Sequence, residues 1–149
     1  MSYGPLMKHR HLGRSGLVVS RLALGTMSWG EDTDDEDAGN QLRMFREAGG
    51  TLLDTADVYV RGESERVLGR LLAKDGGRDE VLVATKARGT TGAYPMARGT
   101  SRGHLLAALD ASLARLGTDY VDLWQVRSEE RRVGKECALL CRSRWAPYH

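Results

Sequence analysis

Cysteine is absent from the first 136 residues, and both cysteines, Cys137 and Cys141, fall in the last 13. The body of the chain therefore has neither a disulfide framework nor a thiol nucleophile. Long apolar runs are missing too. No stretch approaches the roughly 18 consecutive apolar residues of a membrane span, and the N-terminus lacks the apolar core of a signal peptide. The expected compartment is the cytoplasm. Proline is scarce, at three residues against eighteen glycines, which points to many turns. A basic face is also missing. Six Lys/Arg and three Glu beyond Val126 give that tail a charge of +3, so the formal +2 of the chain leaves −1 for residues 1–126. A nearly neutral body gives no basis for nucleic-acid binding.

What is present is a regular alternation. At 149 residues and 41% hydrophobic, the chain is long enough for one domain with a real core. Residues 1–6 read as an unstructured leader. His9 to Leu12 and Leu17 to Ser20 flank a glycine-bearing turn and read as a hairpin. Leu22 to Gly25 is a short strand followed by a loop, Thr26 to Gly30. The acidic run Glu31 to Asp37 has carboxylates that would suit a hard metal ion. It fits better as the charged first turn of a helix, with Ala38, Leu42 and Phe45 on one face and a stop at Gly49-Gly50.

The strand Thr51-Leu52-Leu53-Asp54 comes next. A helix from about Ser64 to Lys74 follows, with Val67, Leu68, Leu71 and Leu72 as its buried stripe. Then come a strand from Val81 to Lys86, a long polar loop, and a helix capped by Ser101. In that last helix Leu105, Leu109, Leu113 and Leu116 read as the core-facing stripe, and Gly117 is the stop. Tyr120 to Val126 is the last strand. A hairpin followed by β-α-β-α-β-α-β argues for parallel strands with right-handed crossovers, either an open doubly wound sheet or a (β/α)₈ barrel. The loop Leu24 to Gly30 is a poor phosphate-binding turn, so the α/β barrel (TIM barrel) is favoured.

In such a barrel the ends of the strands carry the chemistry. Asp54 ends an apolar strand, where a carboxylate needs a partner, and Lys86 ends the next. Tyr59 follows Asp54 by five residues. An ammonium beside a phenol favours the ionised form, which lets Tyr59 act as a proton donor, with Asp54 fixing the lysine. A buried structural tyrosine is the plainer alternative.

These residues carry a family likeness. Arg10-His11-Leu12-Gly13-Arg14-Ser15-Gly16, Leu24-Gly25-Thr26-Met27, Leu52 to Tyr59, Ser64-Glu65, Ala84-Thr85-Lys86 and Leu116 to Leu123 together resemble the aldo-keto reductases. The likeness is to the branch that includes bacterial reductases and potassium-channel β-subunits, and it runs from about Met7 to Val126. It implies a (β/α)₈ barrel closed at its base by the hairpin, an NADP(H) cofactor and the reduction of aldehyde or ketone carbonyls. Asp54, Tyr59 and Lys86 would be catalytic. Gly25, Thr26, Met27 and Asp54 would bind the cofactor, and no metal is implied. Trp29 would line the substrate pocket, or else pack as a core side chain. A cofactor-sensing regulatory subunit is the competing function, and a flavodoxin-like module is disfavoured by the missing phosphate turn.

The likeness stops where the family places a histidine, after Gln125-Val126, because Arg127 stands there. Residues 127–149 resemble a conceptual translation of a short-read sequencing adapter, with Ala138-Leu139-Leu140 where a variable index would fall. They read as a non-biological tail. A basic tail, or a metal site from Cys137, Cys141 and His149, fits less well, since the spacing matches no standard zinc pattern. Residues 7–126 then amount to half a barrel of the typical 250 residues, and the chain is expected not to turn over cofactor by itself.

Overall fold

A computed structural model describes residues 7–87 and 89–126. The leader 1–6 and the tail 127–149, with the readings placed on them, lie outside the described residues. The hairpin forms from β1 (His9–His11) and β2 (Val18–Ser20), paired antiparallel. Four further strands, β3 (Ala23–Gly25), β4 (Leu52–Asp54), β5 (Leu82–Ala87) and β6 (Leu123–Val126), make a parallel sheet in that order. Helix α1 (Asp35–Glu47) joins β3 to β4, α2 (Glu63–Asp75) joins β4 to β5, and α3 (Arg102–Leu116) joins β5 to β6.

The strand order is sequential and never reverses, which is the winding of a barrel; a doubly wound sheet needs a switch point. All three helices cover one face of the sheet. Leu53 and Val83, level with each other in neighbouring strands, are wholly buried there with Ala38 and Leu42 of α1, Val67 and Leu68 of α2, and Leu116 of α3. Each leucine or valine among them contributes about 1.5–3 kcal/mol by leaving water. The other face carries Leu52, Asp54, Leu82 and Lys86, all half-buried, and no described helix covers it.

The helix ends follow local chemistry. Asp34 caps α1 by accepting from the Asp37 N–H, and Asp35, Glu36 and Asp37 fill the first turn, so the acidic run is a helix start. Among the described residues no group of His, Cys, Asp and Glu is placed to hold a metal ion, and no helix is long and apolar enough to cross a membrane. Ser101 caps α3 by accepting from the His104 N–H, and Gly117 ends it at φ 65°, where a left-handed residue is required.

Two expectations need correction. The last strand starts at Leu123 rather than Tyr120, because the Asp122 carboxylate accepts the Val83 N–H at 2.8 Å and an Arg78 donor at 2.9 Å. The buried face of α3 is His104, Ala108, Ser112 and Leu116, while Leu105, Leu109 and Leu113 are only half-buried. The cause is close helix packing: a Cβ on Gly69 of α2 would stand 2.6 Å from the Leu116 carbonyl oxygen. The two residues in the middle of that face, Ala108 and Ser112, are small, and Leu105, Leu109 and Leu113 flank it.

Candidate active site

Asp54 and Lys86 share the uncovered face because register fixes them there. Asp54 is level with Ala84, and Lys86 lies two residues further along the same face of β5. From that position the Lys86 ammonium donates to both Asp54 carboxylate oxygens at 2.7 Å and to the Thr55 carbonyl at 2.8 Å. Its fourth neighbour is the Tyr59 hydroxyl at 3.4 Å. The same ammonium lies 5.1 Å from the centre of the Tyr59 ring, within cation–π range. The acid, phenol and lysine expected from the sequence therefore meet at the C-terminal ends of β4 and β5.

The turn carrying Tyr59 is hung from the neighbouring strand by its backbone. The Thr55 N–H donates to the Ala84 carbonyl at 2.9 Å, and the Asp57 N–H donates to the Lys86 carbonyl at 3.1 Å. Beyond the phenol, Val60 (φ 47°, ψ 42°) and Arg61 (φ 55°, ψ 36°) adopt left-handed conformations inside a 3₁₀ turn, Tyr59–Gly62. A β-branched residue with positive φ is a true outlier, and such strain collects at functional sites.

The expected cofactor positions divide. Gly25 and Met27 are exposed at the same rim, and a Cβ added to Gly25 would meet nothing within 4 Å, so the space above it is open. Thr26 is wholly buried. Its hydroxyl lies 2.7 Å from that of Ser64 and donates to the Asp54 carbonyl at 3.3 Å, which joins β3, β4 and α2 but leaves nothing for a ligand. Trp29 is likewise a core residue, 1% exposed, with its indole N–H donated to Gln41 at 2.9 Å. Of the two readings left open for Trp29, pocket lining and packing, its position agrees with packing, since its ring sits in the aliphatic cluster.

Behind the site lies a polar cluster that the sequence reading did not assign. Glu65 is wholly buried; its carboxylate accepts from Thr85 at 2.6 Å and from Arg115 at 2.6 Å, and Arg115 also reaches Ser112 at 3.1 Å. Asp57 and His104 are buried beside it, each with one side-chain atom, Oδ2 and Nε2, lacking any partner. Burial pushes the Asp57 carboxyl above its ordinary range and Glu65 adds to the rise, against Arg115, His104 and the Val58 N–H. One signal was available: Glu65 lies on the same helical stripe as Leu68 and Leu72, where an acid must be paired. At the opposite, N-terminal ends of the strands, a shallow depression of about 730 Å³ is lined by Arg78, Leu113 and Tyr120, away from this chemistry.

The Aldo/keto reductase family matches this chain over residues 21–133. The chain belongs to the aldo/keto reductase family. Among solved structures it is similar to the aldo-keto reductase AKR11C1 from Bacillus halodurans, determined in its holo form, at 38% identity and a TM-score of 0.69. That match covers 80% of this chain and 40% of the other. It is also similar to the crystal structure of PA4992 from Pseudomonas aeruginosa, at 37% identity and a TM-score of 0.70, over 83% of this chain and 47% of that one. The aldo/keto reductase chain thus spans less than half the length of either relative. Its parallel sheet, with α1, α2 and α3 on one face, is the corresponding part of their α/β barrel.

Proposed function

We propose that the protein to which this sheet belongs reduces aldehyde or ketone carbonyls to alcohols with NADPH. The observation that carries the reading is the contact of one ammonium, that of Lys86, with both Asp54 and Tyr59 at the rim of the sheet. The uncovered face would leave room for a nicotinamide over Gly25, where an added Cβ meets nothing within 4 Å, and Asp54 keeps 34% of its side chain exposed for a ribose hydroxyl. When bound, the cofactor supplies the hydride to the carbonyl carbon.

The chain's own residues do the rest. Tyr59 Oη donates its proton to the carbonyl oxygen as the C=O double bond becomes single. The negative charge left on the phenolate faces the Lys86 ammonium, which Asp54 and the Thr55 carbonyl hold in place. Fixed charges already in position need no reorganisation during the step. Arg127, where the family likeness expects a histidine, lies outside the described residues.

The test is steady-state NADPH oxidation with model aldehydes, on the longest form that the source locus encodes, beside its Tyr59→Phe variant. The expected result is turnover reduced by about 10²–10⁴ in the variant, the range of general acid catalysis. Turnover unchanged by Tyr59→Phe refutes the assignment. For residues 1–149 alone the same reading expects no turnover and no tight NADPH binding, because barrels of this kind hold phosphate groups on loops after later strands. A sub-micromolar dissociation constant by fluorescence titration contradicts that.

A further inference from the structure

The donors of the Lys86 ammonium are all spent on one side of β5. Asp54 and Thr55, at the end of β4, accept from it at 2.7 and 2.8 Å, and Tyr59 on the turn beyond is its remaining neighbour. Strand β6 lies on the other side of β5. There Gln125 is level with Lys86, and alternation along the strands puts both on the face that no described helix covers.

Gln125 differs from the other hydrophilic side chains of this sheet. Asp54 and Lys86 are bonded to each other, and Thr85, on the helix-covered face, donates to Glu65. Gln125 is half-buried, and no other described residue bonds to its side-chain amide. Its amide atoms are not among those closed off from solvent without a partner, so they stay open to a molecule lying on this face. A carboxamide brings two N–H donors, and a carbonyl oxygen has two lone pairs, so one such oxygen can accept from two groups at once.

From this register we infer that Gln125 contacts the substrate, its amide N–H donating to the carbonyl oxygen from the β6 side while Tyr59 donates from the β4 side. The contact presupposes the reductase site proposed above. In the reaction the carbonyl carbon takes the hydride, the π electrons of the C=O bond pass to the oxygen, and Tyr59 supplies the proton. Gln125 keeps both amide hydrogens throughout. Its part is a fixed donor toward the charge that grows on the oxygen, together with a second direction that orients the carbonyl.

The test uses the longest form that the source locus encodes, with benzaldehyde as substrate. Gln125→Met keeps the length of the side chain and removes the amide. Its kcat/KM is expected to fall about 10²–10³-fold, the loss that follows removal of one fixed donor to a developing oxyanion. The dissociation constant for NADPH, read by fluorescence titration, should not move. An unchanged kcat/KM overturns the contact, and so does a loss of NADPH affinity as large as the loss of kcat/KM, which assigns Gln125 to the cofactor. Gln125→Glu separates contact from packing, and carries the test alone should Gln125→Met fail to fold. Its carboxyl only accepts when ionised and donates when protonated, so its rate relative to the parent should climb as pH falls. A ratio flat with pH overturns the contact. If the parent reduces no aldehyde, the reductase reading fails by itself, and calorimetry with benzoate in the presence of NADP⁺ decides Gln125. Benzoate binding weakened about tenfold by Gln125→Met, as for a lost hydrogen bond to a charged group, supports the contact. Equal binding by the two chains, or none by the parent, overturns it.

Discussion

Lys86 is fastened to Asp54 more tightly than to Tyr59: both carboxylate oxygens stand 2.7 Å from its nitrogen, and the phenol oxygen stands at 3.4 Å. The acid therefore fixes where the ammonium sits, and the phenol benefits from that placement. Asp54→Asn keeps the shape and removes the charge. In the reductase assay kcat is expected to fall about tenfold to a hundredfold, on the order of 1.4–2.7 kcal/mol of lost positioning. KM for the aldehyde should change less, since Tyr59 is untouched, and steady-state kinetics separates the two. An unchanged kcat removes Asp54 from the arrangement.

Glu65 and Arg115 tie the two helices behind the site, across a separation of 50 residues in sequence. Because Glu65 is wholly buried, Arg115→Met leaves a carboxylate without its counter-ion, at a cost of about 3–5 kcal/mol. Adding Glu65→Gln to the same chain removes the orphaned charge and should recover part of that loss. Urea unfolding of the two single variants and the double variant measures the coupling. If the double variant is less stable than Arg115→Met, the buried charge is not what that variant suffers from.

The difference between what the sequence disclosed and what it hid follows from which forces are local. Asp54 and Lys86 were legible because alternation within a strand and strand order place them on one face, and a terminal acid after Leu52-Leu53 asks for a partner. The stripe of α2 was legible for a similar reason: Val67, Leu68, Leu71 and Leu72 are large, periodic and all buried. The stripe of α3 was misplaced, since periodicity favours the large leucines and cannot see that Gly69 draws the helices too close for them. That misplacement hid His104, and with it the cluster around Asp57. Trp29 stayed ambiguous because a lone aromatic in a loop says nothing of which neighbours close over it.

Val60 follows the phenol directly and is held at φ 47°, a conformation glycine adopts freely and a β-branched residue does not. Val60→Gly is expected to raise stability by about 1 kcal/mol, with the relieved strain exceeding the extra flexibility gained by the unfolded chain. The urea midpoint should rise with no change in its slope. If the strain holds Tyr59 in place, the same variant should also lower kcat. A loss of stability instead would mean that Val60 side-chain packing outweighs its backbone.

Asp57 gives the fold a pH dependence whose sign is set by burial. Its carboxyl titrates above the ordinary aspartate range in the folded chain, so between those two values the folded state binds a proton that the unfolded state has released. Stability is therefore greatest below the ordinary aspartate value and declines as pH rises through the raised one. Above that window the folded chain carries a desolvated charge. Asp57→Asn carries none, so it is expected to be more stable than the parent at mildly alkaline pH, with the advantage disappearing in acid, where Asp57 is protonated in both states. Thermal unfolding of the pair from acid to alkaline pH measures the difference. A constant gap across the range assigns the effect of the substitution to packing, and a gap that widens toward acid reverses the sign derived from burial.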